Sequence, residues 1–96
     1  MSKEAVLKIL RTFREKNGHR FHLLKLGLFG SYAKGTQNEN SDIDIVVEIP
    51  KQDFFELFDI KQELEKDLKK SVDVISYREK MNGFLKKRIE KEAIYV

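Results

Sequence analysis

The chain has 96 residues, 36% of them charged, with 19 Lys and Arg against 16 Asp and Glu and a formal net charge of +3. That length is expected to make one domain over residues 1–96 with one modest core. The interleaved signs describe a solvated surface rather than a basic stripe, so direct nucleic-acid binding is not expected. The absence of cysteine excludes disulfides and thiolate-zinc sites; no signal peptide or apolar run of membrane length is seen, and the chain reads as cytoplasmic.

Ser2 to Lys16 reads as a helix, with Ser2 as N-cap and Val6, Ile9, Leu10 and Phe13 as its apolar stripe. Asn17-Gly18 is its stop signal. His19 and His22 follow and read as ordinary surface or strand-entry histidines. A first strand over about His22 to Phe29 is indicated by the alternation of Leu24, Leu26 and Leu28. Gly30-Ser31 breaks that strand, Ser31 to Lys34 begin a short helix, and Gly35 ends it. The residues up to Ser41 are polar and turn-rich.

A second strand over Asp42 to Glu48 turns Ile43, Ile45 and Val47 to one side and Asp42, Asp44, Val46 and Glu48 to the other. Two carboxylates at i and i+2 lie about 6.5–7 Å apart at their Cα atoms. So placed, they can share a pair of divalent cations, and the Gly-Ser turn beside them can offer a backbone N–H and a hydroxyl to phosphate oxygens.

After Pro50, Asp53 to Lys70 reads as the longest helix. Asp53 is the N-cap, and Leu57, Ile60, Leu64 and Leu68 are the core stripe. Phe54, Phe55 and Phe58 widen that stripe. They either pack internally or anchor a protein interface. The charged run Glu63 to Lys70 is a solvated face in which Glu65 and Lys69 have a favourable spacing. Val72 to Ser76 is a third strand that starts at Asp73. A strand–helix–strand crossover favours parallel pairing of strands two and three. With strand one antiparallel to strand two, Gly30, Ser31, Asp42, Asp44 and Asp73 arrive at one sheet edge. Met81 to Lys91 reads as a last helix, with Phe84, Leu85 and Ile89 inward and Lys86-Lys87-Arg88 outward, followed by a short extended segment over Ala93 to Val96.

Gly30-Ser31, ten residues, then Asp42-x-Asp44 resembles the signature of the minimal nucleotidyltransferases, small members of the DNA-polymerase-β-like superfamily. The flanking L-F-G-S-Y-A-K-G and S-D-I-D-I-V-V-E resemble it too, and V-D-V-I, with Asp73, resembles the family's third carboxylate strand. The resemblance implies an α/β (α+β) fold with a small mixed sheet of three or four strands and about four helices. It implies Asp42, Asp44 and Asp73 as catalytic residues and ligands of two Mg²⁺ ions, and Gly30, Ser31 and Lys34 as nucleotide-binding residues. Lys34 stands where an Arg is usual, without the fork that grips two phosphate oxygens.

Many such proteins are antitoxins paired with a HEPN-domain toxin, and characterised members transfer AMP from ATP to a toxin tyrosine. The chain ends almost where the catalytic core does, so the acceptor is expected to be presented by a partner. The rival readings are an antitoxin that neutralises its toxin by binding alone and, more remotely, a small nucleic-acid-binding module.

Overall fold

In the computed structural model, which describes residues 1–51 and 53–96, four helices and four strands alternate along the chain. They are α1 (Lys3–Asn17), β1 (Lys25–Phe29), α2 (Gly30–Lys34), β2 (Ile43–Glu48), α3 (Phe54–Leu68), β3 (Val72–Ser76), α4 (Gly83–Glu92) and β4 (Ile94–Tyr95). The strands form one mixed sheet in the order β3-β2-β1-β4, antiparallel except for the β2–β3 pair. This is the expected α/β fold, with the extended segment near Tyr95 supplying the fourth strand.

The starts of α1 and α3 follow the caps legible in the sequence, whereas α4 starts at Gly83 rather than Met81, behind Asn82 as its cap. Ser2 Oγ accepts from the Ala5 N–H at 3.1 Å, Asp53 Oδ1 from Phe55 at 2.9 Å, and Asn82 Oδ1 from Leu85 at 3.0 Å. On one face of the sheet α1 and α3 bury Val6, Leu10, Phe13, Ile60, Leu64 and Leu68 against Leu26, Leu28, Ile43, Ile45 and Val47. On the other face α4 lays Ile89 against Phe29 and Val46, with Leu85 half-buried beside them. The alternation along β2 therefore sorts its residues onto two cores, and Asp42 and Asp44 fall on the α4 side. Gly27 lets β4 close over β1, because a Cβ there would stand 2.8 Å from the Tyr95 ring.

Three expectations are corrected. Strand β1 begins at Lys25, because His22 takes a left-handed backbone (φ 53) and turns the chain. Leu23 is buried in consequence, and Leu24 is exposed. Phe84 is exposed rather than inward: it sits about 100° around the helix from Leu85, which with Ile89 makes the line of contact to the sheet. Glu65 turns from Lys69 to accept the Val72 N–H at 3.0 Å, and Lys69 itself ends α3 in the left-handed region.

Phe54, Phe55 and Phe58 are 80%, 84% and 59% exposed, so they do not pack internally. No described helix is long and apolar enough to cross a membrane.

This division predicts two different responses to truncation. Leu64→Ala, in a fully buried position, should cost about 2–5 kcal/mol of stability. Phe55→Ala should change it by no more than about 0.5 kcal/mol. Urea denaturation of both variants checks this; a large loss from Phe55→Ala would mean that the helix face is packed.

Candidate active site

The site is assembled by strand register. Antiparallel β1 and β2 pair Phe29 with Asp44, and parallel β2 and β3 pair Asp44 with Asp73. The chain leaves β1 directly into Gly30, the first residue of α2, so the Gly-Ser turn and the two acids meet at one edge. Asp42 lies just before β2 and is exposed, as is Asp73; Asp44 is half-buried between them.

Gly30 is required on two counts. Its φ of +74° lies in the left-handed region that side chains resist. A Cβ at this position would also stand 2.1 Å from Asp44 Oδ2, so the turn is seated on the carboxylate itself. Gly35, at φ +76°, ends α2 and donates its N–H to the Ser31 carbonyl.

The polar loop that follows is folded on itself. Ser41 Oγ accepts from the Asn38 N–H at 3.0 Å, Asn38 Oδ1 from the Asn40 N–H at 2.8 Å, and the Glu39 carbonyl from Lys70 Nζ at 3.2 Å. These bonds return the chain to the edge in register for Asp42. A spacing of ten residues is thus a loop of fixed shape.

Two residues that the sequence reading left out complete the surroundings. Glu92, at the end of α4, accepts from the Gly30 N–H at 3.2 Å and pairs with Lys34 at 3.1 Å and Arg88 at 3.5 Å. Arg88, expected to face outward with Lys86 and Lys87, instead lies 5.8 Å over the Phe29 ring and lends positive charge to Asp44. The i, i+4 spacing of Arg88 and Glu92 was visible in the sequence. Which face of α4 meets the sheet was not. His19 and His22, in the turn ahead of β1, lie at the end of that strand away from the site.

Burial raises the Asp44 pKa above the usual carboxylate value, Asp73 raises it further, Arg88 opposes, and Asp42 and Glu92 add to the rise. A half-buried carboxylate among three acids is short of positive charge, and cations fit that shortage. Among the described residues no three acidic or histidine side chains converge closely enough to hold a metal by themselves. A metal ion at this edge would need ligands beyond these side chains to complete its coordination.

The sign of the resulting pH effect is fixed. A carboxyl whose folded pKa is raised costs nothing below its unfolded value, where both states are protonated. The cost grows as pH rises through the two values and is complete above the folded one. Asp44→Asn should therefore raise the melting temperature at pH 7 in metal-chelating buffer, and the gain should shrink as pH falls below the carboxylate range. Equal melting temperatures at pH 7 would refute the crowding.

Comparison with known proteins agrees with this geometry. The model of the nucleotidyltransferase domain family matches residues 6–96. MJ1379 of Methanocaldococcus jannaschii, provisionally named a protein adenylyltransferase, is 38% identical in an alignment 94 positions long that covers 95% of this chain and 94% of that one. The protein adenylyltransferase MntA of Thermococcus cleftensis is 31% identical over 96 residues, covering 97% and 94%.

Among solved structures, a provisionally named minimal nucleotidyltransferase superposes with a TM-score of 0.79 at 28% identity, covering 98% of this chain and 95% of that one. A toxin–antitoxin structure with AMP-PNP gives 0.71 at 29% identity, covering 99% and 72%. Because the family match runs through all four strands and all the edge residues, this chain belongs to the nucleotidyltransferase domain family.

Proposed function

We propose that this nucleotidyltransferase transfers AMP from ATP to a hydroxyl, a tyrosine of a partner HEPN-domain toxin, and thereby acts as an antitoxin in the cytoplasm. What supports the transfer is the register: one sheet edge carries a Gly-Ser turn seated on Asp44 with Asp73 directly across. What supports AMP and a toxin is the similarity to a protein adenylyltransferase and to a toxin–antitoxin structure with AMP-PNP. The HEPN class of the partner is what the sequence resemblance implies.

Residues 1–96 would act as one nucleotidyltransferase unit. Gly30, Ser31 and Lys34 would hold the β- and γ-phosphates through a backbone donor, a hydroxyl and a cation. Asp42, Asp44 and Asp73 would hold two Mg²⁺ ions, whose chemistry is to neutralise the triphosphate and lower the pKa of the attacking hydroxyl. The acceptor oxygen bonds to the α-phosphorus as the bond to the bridging oxygen breaks, and pyrophosphate leaves. Asp73, exposed at the rim, would take the hydroxyl proton. Most of the acceleration would come from positioning and electrostatics.

The exposed Phe54, Phe55 and Phe58 support a protein partner, since aromatic side chains are favoured interface anchors. They serve a toxin that is modified and a toxin that is only bound equally well, so the experiment must separate the two. The chain, ATP, Mg²⁺ and the toxin are mixed and both proteins are followed by intact mass.

The expected outcome is addition of AMP to the toxin. Asp73→Asn should slow it at least roughly a hundredfold, the scale of a lost general base, while binding of the toxin persists. Full protection of cells by Asp73→Asn with no detectable transfer would establish neutralisation by binding alone.

A further inference from the structure

Glu92 stands where a helix disfavours an acid. It is the last residue of α4, at the negative end of the helix dipole. It is also sequestered, its side chain only 12% exposed. Three donors nevertheless converge on its carboxylate: the Gly30 N–H at 3.2 Å, Lys34 Nζ at 3.1 Å and Arg88 Nη2 at 3.5 Å. Burial alone would raise its pKa, but the bonds from Lys34 and Gly30 and the charge of Arg88 outweigh burial and hold it below the usual value.

A backbone N–H at a Gly turn, a lysine and an arginine form a donor set that a phosphate oxygen would also take. The set is already filled by a carboxylate of this chain.

We propose that Glu92 is a built-in stand-in for a nucleotide phosphate, and that triphosphate binding requires Lys34 to exchange Glu92 for a phosphate oxygen. This rests on the reading of Gly30 and Lys34 as phosphate-binding residues. Lys34 is the partner that moves. Its side chain is 51% exposed on a flexible stem. Glu92 is fixed between α4 and β4, whose Ile94 and Tyr95 are paired to β1.

Without nucleotide, the Glu92 carboxylate satisfies the Gly30 N–H and anchors Lys34 beside the turn. With nucleotide, it competes. The apparent affinity is reduced by the fraction of molecules in which Lys34 is engaged, and Glu92 thereby sets the nucleotide concentration at which the site fills.

The test is a double-mutant cycle read by calorimetry with Mg–ATP on the full chain, with folding followed by circular dichroism. Glu92→Gln keeps an acceptor for Gly30 but loses the charge that holds Lys34. It should tighten Kd roughly fivefold to tenfold. Lys34→Ala should weaken binding, and in that background Glu92→Gln should change Kd by less than about twofold, because the cation for which carboxylate and phosphate compete is gone.

Unchanged or weaker binding by folded Glu92→Gln overturns the proposal. So does equal tightening in both backgrounds, which is the signature of simple repulsion. A second readout uses the unmutated chain: the Lys34 ammonium ¹⁵N resonance should shift on addition of inorganic triphosphate, and a resonance that stays in place overturns the exchange. Failure of the unmutated chain to bind Mg–ATP at all would refute the nucleotidyltransfer reading itself.

Discussion

The approach of the Gly30 backbone to the Asp44 carboxylate is the constraint on which the site depends. No side chain fits between them, and the left-handed turn has no L-residue substitute free of strain. The contact exists because β1 and β2 pair Phe29 with Asp44, so a slip of one residue would turn Asp44 to the opposite core. Register is locked in turn by burial on both faces of β2: Ile43, Ile45 and Val47 under α1 and α3, and Val46 under α4. Two ordinary hydrophobic cores thus fix the relation between the Gly30-Ser31 turn and the Asp44 carboxylate.

Charge at the edge is arranged against stability. Asp44 is half-buried with Asp73 across from it and Asp42 beside it, and Arg88 offsets only part of the repulsion. Glu92 adds to the negative charge while occupying the donors of Gly30, Lys34 and Arg88. Local sequence choices that conflict with folding are expected where function requires them, and here they gather within one corner of the sheet. The rest of the chain follows local rules, with capped helices, alternating strands and a charged surface. The exposed aromatics at the start of α3 are another departure, large apolar side chains left on a solvent face.

Much of this was legible in the chain itself. Period-2 alternation in Ile43 to Glu48 and the crossover length to Val72 were enough to bring five residues to one edge, because strand direction follows from connection length. The loop of ten residues announced its end points through Gly35 and Asn38 to Ser41. Less legible was anything set by rotation about an axis. Leu24 was misplaced because the left-handed turn at His22 leaves no mark in a pattern of leucines. Phe84 and Arg88 were misplaced together, since α4 has few apolar residues and its inward line could be drawn in two ways. The role of Glu92 was not legible because two of its partners, Gly30 and Lys34, lie far away in sequence on α2.

Paramagnetic relaxation is the measurement that tests the assembled edge most directly. Mn²⁺ added with a non-hydrolysable ATP analogue should broaden the amide resonances of Gly30, Ser31, Ile43, Asp44 and Asp73. It should spare His19 and His22 at the other end of β1. Broadening centred on the histidines, or spread evenly over the acidic surface, would contradict the account.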